Sequence, residues 1–157
     1  MSNAIETTTE AMLAILQAEL TRLRDSLMEG WRSYHTWATW FLGIQAAGLG
    51  WIMATAQELK NAPYMTVLAG AAIVLNLLGI RGALGVRSFT VLQMRRAKAV
   101  CQTMRQHTEA AGLNIEITPG FPGELFRLGA DINVAAFSIA VAAWLSVLVH
   151  TMKSSWL

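Results

Sequence analysis

Three stretches of the chain contain no charged residue and are dominated by apolar ones: 37–56, 64–80 and 132–149. Each is close to the length of about 17 to 25 residues that a helix needs to cross a hydrocarbon core of about 30 Å. Three helices of this kind, packed as the core of a water-soluble protein, need more amphipathic partner surface than the remaining residues supply. The pattern therefore predicts an all-α membrane protein with transmembrane helices over 37–56, 63–80 and 131–150.

Apolar residues also recur at alternating three- and four-residue spacing outside the spans. Before the first span these positions are Leu13, Leu16, Leu20, Leu23 and Leu27. After the second span they are Met94, Ala97, Cys101, Met104, Thr108 and Ala111. This spacing is typical of the a/d seam of a coiled coil. Because no proline interrupts either boundary, 9–36 and 81–112 are predicted to continue the first two spans into the cytoplasm. Together they form an antiparallel, coiled-coil-like helical hairpin, here called the stalk.

The ends and the register of the stalk follow from local signals. Thr7 to Thr9 offer N-caps, and Gly112 is a natural C′ stop. With 59–62 taken as the turn of the hairpin, residue i faces residue 121 or 122 minus i, which predicts charge pairing across the seam. The predicted partners are Asp25 and Glu29 on one helix, and Arg95, Arg96 and Lys98 on the other. A turn-rich loop over 113–123 and a short helix over 124–130 then lead into the third span, and the chain forms a single membrane domain.

The charge distribution gives a topology. Ten of the twelve Lys and Arg residues lie in 1–36 or 81–130, and only Lys60 and Lys153 lie elsewhere. Basic residues near span ends are retained on the cytoplasmic side. We therefore predict a multi-pass protein of a plasma (bacterial inner) membrane, with its N-terminus in the cytoplasm and its C-terminus outside. Six aromatic residues near the ends of the first two spans suit the headgroup layer: Trp31, Tyr34, Trp37, Trp40, Trp51 and Tyr64.

Composition agrees with this interpretation and limits the partners. The chain is 54% hydrophobic and 14% charged, whereas a soluble domain carries about a quarter charged residues. Although the pI is near 9.0, the basic residues follow the membrane boundaries, so we do not expect nucleic-acid binding. The single Cys101 excludes an intrachain disulfide.

Polar residues within or beside the spans are the first candidate site. Gln45 and Asn76 lie centrally in the first two spans, where interhelical hydrogen bonding is the favoured role. The alternative role is to line a pore or an ion-coordinating ring in an oligomer. Asp131 precedes the third span and is interpreted as its N-cap, with a charge ring at a pore mouth as the alternative.

Small residues and basic residues supply two further sets of candidates. Small residues permit close helix contacts in lipid, either within one chain or between copies, and the candidates are Gly43, Gly48, Gly50 and Gly70. The basic surface of the stalk consists of Arg95, Arg96, Lys98 and Arg105. A solvated, ion-paired stalk explains these residues, and binding of an anionic lipid or of a nucleotide is the alternative.

The sequence offers no catalytic constellation. It contains no Gly-rich phosphate loop, no GxSxG and no HExxH, which are the patterns that would indicate nucleotide, acyl-transfer or zinc chemistry. The predicted topology separates His35, His107 and His150 too widely for haem ligation. We therefore expect no enzyme activity, no cofactor and no metal.

The sequence-based hypothesis is a homo-oligomeric pore of the channel type, or a membrane-perturbing effector, coupled to the stalk. The organisation is similar to that of small two-span bacterial effector modules with flanking cytoplasmic helices, a likeness of organisation without a shared motif. The alternative is a non-catalytic accessory or scaffold subunit that recruits a partner through its stalk. A protein-insertion factor is disfavoured because the spans lack a charged groove. The expected partners are the lipid bilayer, further copies of the chain and a cytoplasmic protein.

Overall fold

A computed structural model describes residues 2–55, 64–110, 112, 120 and 122–154. Within these residues the fold consists of three α-helices: α1 (Ser2–Ala54), α2 (Tyr64–Ala110) and α3 (Gly123–Ser154). The prediction of an all-helical protein is confirmed. The predicted outer turn at 57–62 and most of the predicted loop at 113–123 lie outside the described residues.

The first two helices are much longer than a membrane span. Helix α2 passes without a break through the segment GIRGALGVRSF, as predicted from the absence of proline. A glycine inside a helix costs about 1 kcal/mol relative to alanine but keeps its N–H group, so it does not end the helix as proline does. Helix α1 likewise continues through Gly30.

The helix ends confirm one predicted signal and correct another. Gly112 adopts φ 74°, and its N–H donates to the carbonyl of Glu109 at 3.0 Å, which is the arrangement expected at a C′ glycine. Helix α1, however, begins at Ser2, so the proposed N-caps at Thr7 to Thr9 are wrong. The segment between Ser2 and Thr7 contains neither glycine nor proline, and nothing there forces a later start.

Helix α3 combines two predicted elements. The short helix predicted over 124–130 and the third predicted span belong to one helix, which begins at Gly123. Asp131 therefore lies inside α3, and its interpretation as an N-cap is wrong. The first turn forms instead after Pro122, whose carbonyl accepts the N–H of Phe126 at 3.1 Å.

The contacts divide the chain into two compact units. Unit 1 comprises the described parts of 1–32 and 88–127, and unit 2 those of 33–87 and 128–157. Each unit contains a part of all three helices, and each is described by itself below.

Unit 2 is held together by buried positions at alternating spacings of three and four residues. On α2 the buried positions are Met65, Ala69, Ala72, Asn76, Gly79 and Ala83. On α3 they are Ala130, Asn133, Phe137, Ala140 and Trp144. This is the heptad pattern of helices that pack in a left-handed coiled coil. The seam that the sequence indicated only for the stalk thus also runs through the apolar segments.

Unit 1 contains most of the stalk residues. Its core includes Phe126 of α3 and five residues of the stalk: Leu23, Leu27, Ala97, Cys101 and Thr108. A methyl group added at Gly30 would lie 3.7 Å from the ring of Phe89. The pairing of Gly30 with Phe89 is therefore within one helical turn of the predicted register. The predicted charge pairing is wrong, because no ion pair in the described part of unit 1 joins Asp25 or Glu29 to α2. Arg105 instead pairs along its own helix with Glu109 at 2.8 Å, since neighbouring residues on one helix meet without ordering a second chain segment.

Two helices are long and apolar enough to cross a membrane, and they are α2 and α3. In their most apolar 18-residue stretches, only 28% of α2 and 22% of α3 is buried. The mean hydropathy of α1 is too low for a candidate membrane span, because Trp37, Trp40 and Gln45 lower the hydropathy of its predicted span. Two of the three predicted spans thus have the required composition.

Candidate functional site

The two central amides of the predicted spans lie inside unit 2. Gln45 is 7% exposed and Asn76 is 0% exposed. Both side chains therefore lie within the helix packing of their own chain. Neither lies on an outer surface, where a second copy would meet it.

Three polar atoms in this part of unit 2 have no hydrogen-bond partner in the described structure. They are Oε1 of Gln45, Oδ1 of Asn76 and the indole Nε1 of Trp144. Trp144 is 3% exposed, so all three groups belong to residues that are more than nine-tenths buried. Asn76 does use its other amide atom, because Nδ2 donates to the carbonyl of Ala72 at 2.7 Å.

Contacts among the three helices bring these three groups to one region. Ala72, whose carbonyl binds Asn76, packs in the same apolar cluster as Trp144. A methyl group at Gly48 would lie 3.8 Å from Cζ2 of Trp144, and Gln45 lies one helical turn before Gly48 on the buried side of α1. The three groups thus come from three helices, and each lies within about one helical turn of the place where Trp144 packs against Gly48 and Ala72.

An aromatic cluster lies beside this polar region. Phe137 is fully buried, with its ring centroid 5.9 Å from that of Phe41 and 6.1 Å from that of Trp37. Its ring lies so close to Gly79 that an added methyl group would be 2.7 Å from Cε1. Gly79 therefore provides the space that Phe137 occupies. The sequence predicts that Gly79, with Gly82 and Gly85, lets the first two helices approach closely or bend. The close contact of Gly79 is instead with Phe137 of α3, one turn after Asn76 on the same seam.

One ion pair joins two helices of unit 2. The Nε atom of Arg87 lies 3.0 Å from Oδ1 of Asp131, and both side chains are about half exposed. Two residues after Asp131 on α3, the side chain of Asn133 interacts with the hydroxyl of Tyr34 on α1. Asp131 thus contacts α2, a partner that spacing along the sequence could not indicate.

The four glycines proposed for helix packing have different surroundings. Gly48 lies against Trp144, whereas a methyl group at Gly43, Gly50 or Gly70 would meet nothing within 4 Å. Within the described residues, these three glycines therefore leave open surface. Gly48 instead belongs to the core of unit 2.

Helix α3 carries small and polar residues on its outer side, which the sequence analysis did not single out. Ser138 and Ser146 are exposed. Ala135, which precedes Ser138, and Ala142, which lies between the two serines, are exposed as well. The serine hydroxyls donate to the carbonyls of Val134 at 2.8 Å and Ala142 at 3.0 Å, so their donors are satisfied without water. We refer to the face formed by Ala135, Ser138, Ala142 and Ser146 as the small polar face of α3. Its signal in the sequence was the spacing of three and four residues between small side chains.

Charged and ionisable residues flank the small polar face of α3. Asp131 precedes it, and the exposed His150 and Lys153 follow it.

The basic residues of unit 1 are surface residues. Arg95, Arg96 and Lys98 are exposed, while Arg105 is engaged with Glu109. Cys101 lies in the core of unit 1, and burial raises the pKa of its thiol, so the protein keeps it in the neutral form. Such a cysteine behaves as a small apolar residue rather than as a nucleophile.

The described residues contain no group of three or more His, Cys, Asp or Glu side chains arranged to hold a metal ion. Comparison with protein-family models, with curated proteins and with solved structures finds no match to the chain. The functional argument therefore rests on the geometry of the two units.

Proposed function

We propose that the chain is an integral membrane protein in which lipid covers the apolar surface of unit 2. The large side chains on this surface face outward: Leu77 is 52% exposed, Leu78 56% and Ile139 71%. Exposing such surface to water costs about 25 cal/mol per Å². A hydrocarbon solvent removes this cost, and the helices satisfy their own backbone groups there.

Helix α1 supplies the third span of this proposal. Its apolar segment packs in unit 2 with the two candidate spans, and it exposes Trp40 by 70%, Ile44 by 66% and Met53 by 80%. Tryptophan lowers a hydropathy average, yet it is favourable in the headgroup layer of a membrane. The proposed arrangement has three spans in unit 2, and the cytoplasmic stalk corresponds to unit 1.

The proposed activity is that of a homo-oligomeric pore or membrane-perturbing effector. The observation that carries it is the small polar face of α3, which lies outside the chain's own helix packing. Serines with satisfied donors still offer hydroxyl oxygens to water, and a pore between copies would hydrate them. The open surface at Gly43, Gly50 and Gly70 allows close helix contacts between copies. Gln45 and Asn76 do not take part in this lining, because both are buried within the chain.

Cysteine scanning of α3 tests this proposal. In a Cys101→Ala background, Ser138→Cys and Ser146→Cys are reconstituted in liposomes, and ion flux is measured before and after a charged methanethiosulfonate reagent. Modification at a pore-lining position should reduce the flux several-fold. Ile139→Cys is the matched control, because it is equally deep on α3 but lies on the large apolar side.

Two results would overturn the pore. One is wild-type protein that conducts no ions in liposomes. The other is equal block at Ser138→Cys and Ile139→Cys, which would show that the small polar face has no special access to water. The mass of the detergent-solubilised particle accompanies the measurement, since a pore between copies requires a closed oligomer.

A second candidate function is that of an accessory or scaffold subunit. It is favoured by the exposed basic side chains of unit 1, where Arg95, Arg96 and Lys98 have no acidic partner within 4.0 Å among the described side chains of α1. Such a surface can take a cytoplasmic protein with an acidic face. A stable, non-conducting monomer in the experiment above would select this function over the pore.

A further inference from the structure

The core of unit 2 contains a set of polar atoms that the proposed pore does not use. We propose that Gln45, Asn76 and Trp144 form a binding site for one internal water molecule, which joins the three helices of unit 2. The inference concerns the interior of the chain and stands whether or not the protein conducts ions.

The hydrogen-bonding capacities of the three groups select the ligand. Oε1 of Gln45 and Oδ1 of Asn76 are acceptors, whereas Nε1–H of Trp144 is a donor. Water donates two hydrogen bonds and accepts up to two, so one molecule satisfies all three atoms. A metal cation would be repelled by the partial positive charge of the indole N–H. An anion would be repelled by the partial negative charges of the two carbonyl oxygens.

The orientation of one amide is fixed by its surroundings. Nδ2 of Asn76 donates to the carbonyl of Ala72 at 2.7 Å, and exchanging the amide oxygen and nitrogen would place two acceptors together. Oδ1 of Asn76 is therefore the atom left for a ligand. Ala72 also packs in the cluster that contains Trp144, which brings this oxygen to the region of the indole.

The three groups lie among small residues inside the packing of unit 2. Small residues line this level of the unit: Gly48 on α1, Ala72 on α2 and Ala140 on α3. Toward one side lies the apolar cluster of Ile52, Met65 and Ala69. Toward the other side lies the Phe41–Phe137 contact at 5.9 Å. Polar partners in an enclosed, small-residue environment are the conditions under which internal water is retained.

Nuclear magnetic resonance of indole-¹⁵N-labelled full-length protein in lipid nanodiscs tests the site. The Hε1 signal of Trp144, identified by its loss in Trp144→Phe, should show a cross-peak to a long-lived bound water. Gln45→Leu or Asn76→Leu should abolish this cross-peak and lower the unfolding temperature, because each removes one of the water's acceptors. Gln93→Leu is the matched control: Gln93 is also a buried amide with an unpartnered Oε1, but it belongs to unit 1. It should leave the Trp144 cross-peak unchanged.

Three results would overturn the proposal. The first is a Trp144 Hε1 signal without a water cross-peak in the wild type. The second is a shift of that signal in Gln45→Leu without any water cross-peak, which would indicate a direct hydrogen bond between the two side chains. The third is a rise in unfolding temperature in both leucine variants, which would show that the amides are unpaired in a dry core. Trp144→Phe provides a conservative readout should a leucine variant fail to fold, because its unfolding temperature should fall when the donor is lost.

Discussion

Glycine residues in unit 2 act in opposite ways depending on which side of a helix they occupy. At Gly79 an added methyl group would lie within 2.9 Å of three atoms of the Phe137 ring, so the missing side chain makes room for a fully buried aromatic residue. At Gly43 an added methyl group meets nothing within 4 Å. The first glycine is required by the packing of the chain itself, whereas the second is open to lipid or to another copy.

This difference predicts the outcome of a matched pair of substitutions. Gly79→Ala should destabilise unit 2 by up to about 2 kcal/mol, because overpacking costs about 1–3 kcal/mol and the gain in helix propensity returns about 1 kcal/mol. Gly43→Ala adds the same methyl group on an open surface, so it should leave stability unchanged or raise it. Reversible unfolding by sodium dodecyl sulfate in mixed micelles, followed by circular dichroism, gives both free energies. Equal stability of the two variants would contradict the close contact between Gly79 and Phe137.

At the scale of the helices, the sequence predicted continuity better than it predicted which face is buried. The lack of proline and the Gly112 stop were sufficient to define most of α2. The apolar spans gave no such guide, because several of their buried residues are small and many of their exposed residues are large. Ala69 and Ala72 lie in the core, for example, while Leu77 and Leu78 lie outside. In lipid no hydrophobic force draws the larger side chain inward, and close packing favours small residues at the contact.

The candidate site was less predictable for a related reason. Gln45 and Asn76 could be recognised as unusual residues in apolar helices. Their relation to Trp144 depends on how α3 aligns with the other two helices, which spacing within one helix does not specify. The same limit applies to Asp131, whose partner Arg87 is distant in sequence. Exposure of the small polar face of α3 likewise follows only from knowing which side the seam occupies.

The antiparallel pairing of the stalk remains a prediction at this scale, and disulfide crosslinking tests it. Leu16 and Leu20 are half-buried in unit 1, and Cys101 is buried there. Leu16→Cys or Leu20→Cys should form an intrachain disulfide with Cys101 under mild oxidation, because paired helices bring such Cα atoms within about 7 Å. Thr21→Cys is the control: Thr21 is exposed, and its hydroxyl donates to the carbonyl of Gln17 at 3.0 Å, so it should not crosslink within the chain. A shift in gel mobility that is lost on reduction reports the disulfide.

Crosslinking that occurs only between copies would contradict an intrachain hairpin and would instead assign the leucine seam to an oligomer. The register derived from the sequence places Thr21 opposite Cys101, whereas the exposure of Thr21 turns it away from the seam. Efficient intrachain crosslinking of Thr21→Cys would therefore favour the sequence register over the packing of unit 1.

For the whole molecule, the distribution of charge and the distribution of apolar surface independently support the proposed membrane location. Unit 2 exposes large apolar side chains, and the uncharged stretches of the sequence lie within that unit. The basic residues are concentrated in the segments on one side of these stretches, including the exposed Arg95, Arg96 and Lys98 of unit 1. A membrane location explains both features, since lipid covers the first and the cytoplasmic side retains the second.

The distribution of Lys and Arg therefore predicts an N-terminus inside and a C-terminus outside. Ten of the twelve basic residues lie in 1–36 or 81–130, and an odd number of spans then places the two termini on opposite sides. Fusions at each terminus to green fluorescent protein, active in the cytoplasm, and to alkaline phosphatase, active outside it, measure the orientation. The N-terminal fusion should fluoresce, and the C-terminal fusion should show phosphatase activity. Lys153→Ala is the control and should leave this pattern unchanged, because Lys153 lies outside 1–36 and 81–130, the segments that carry ten of the twelve basic residues. Two fluorescent fusions would mean that the chain crosses the membrane an even number of times, which would remove α1 from the spans and leave α2 and α3 as the membrane helices.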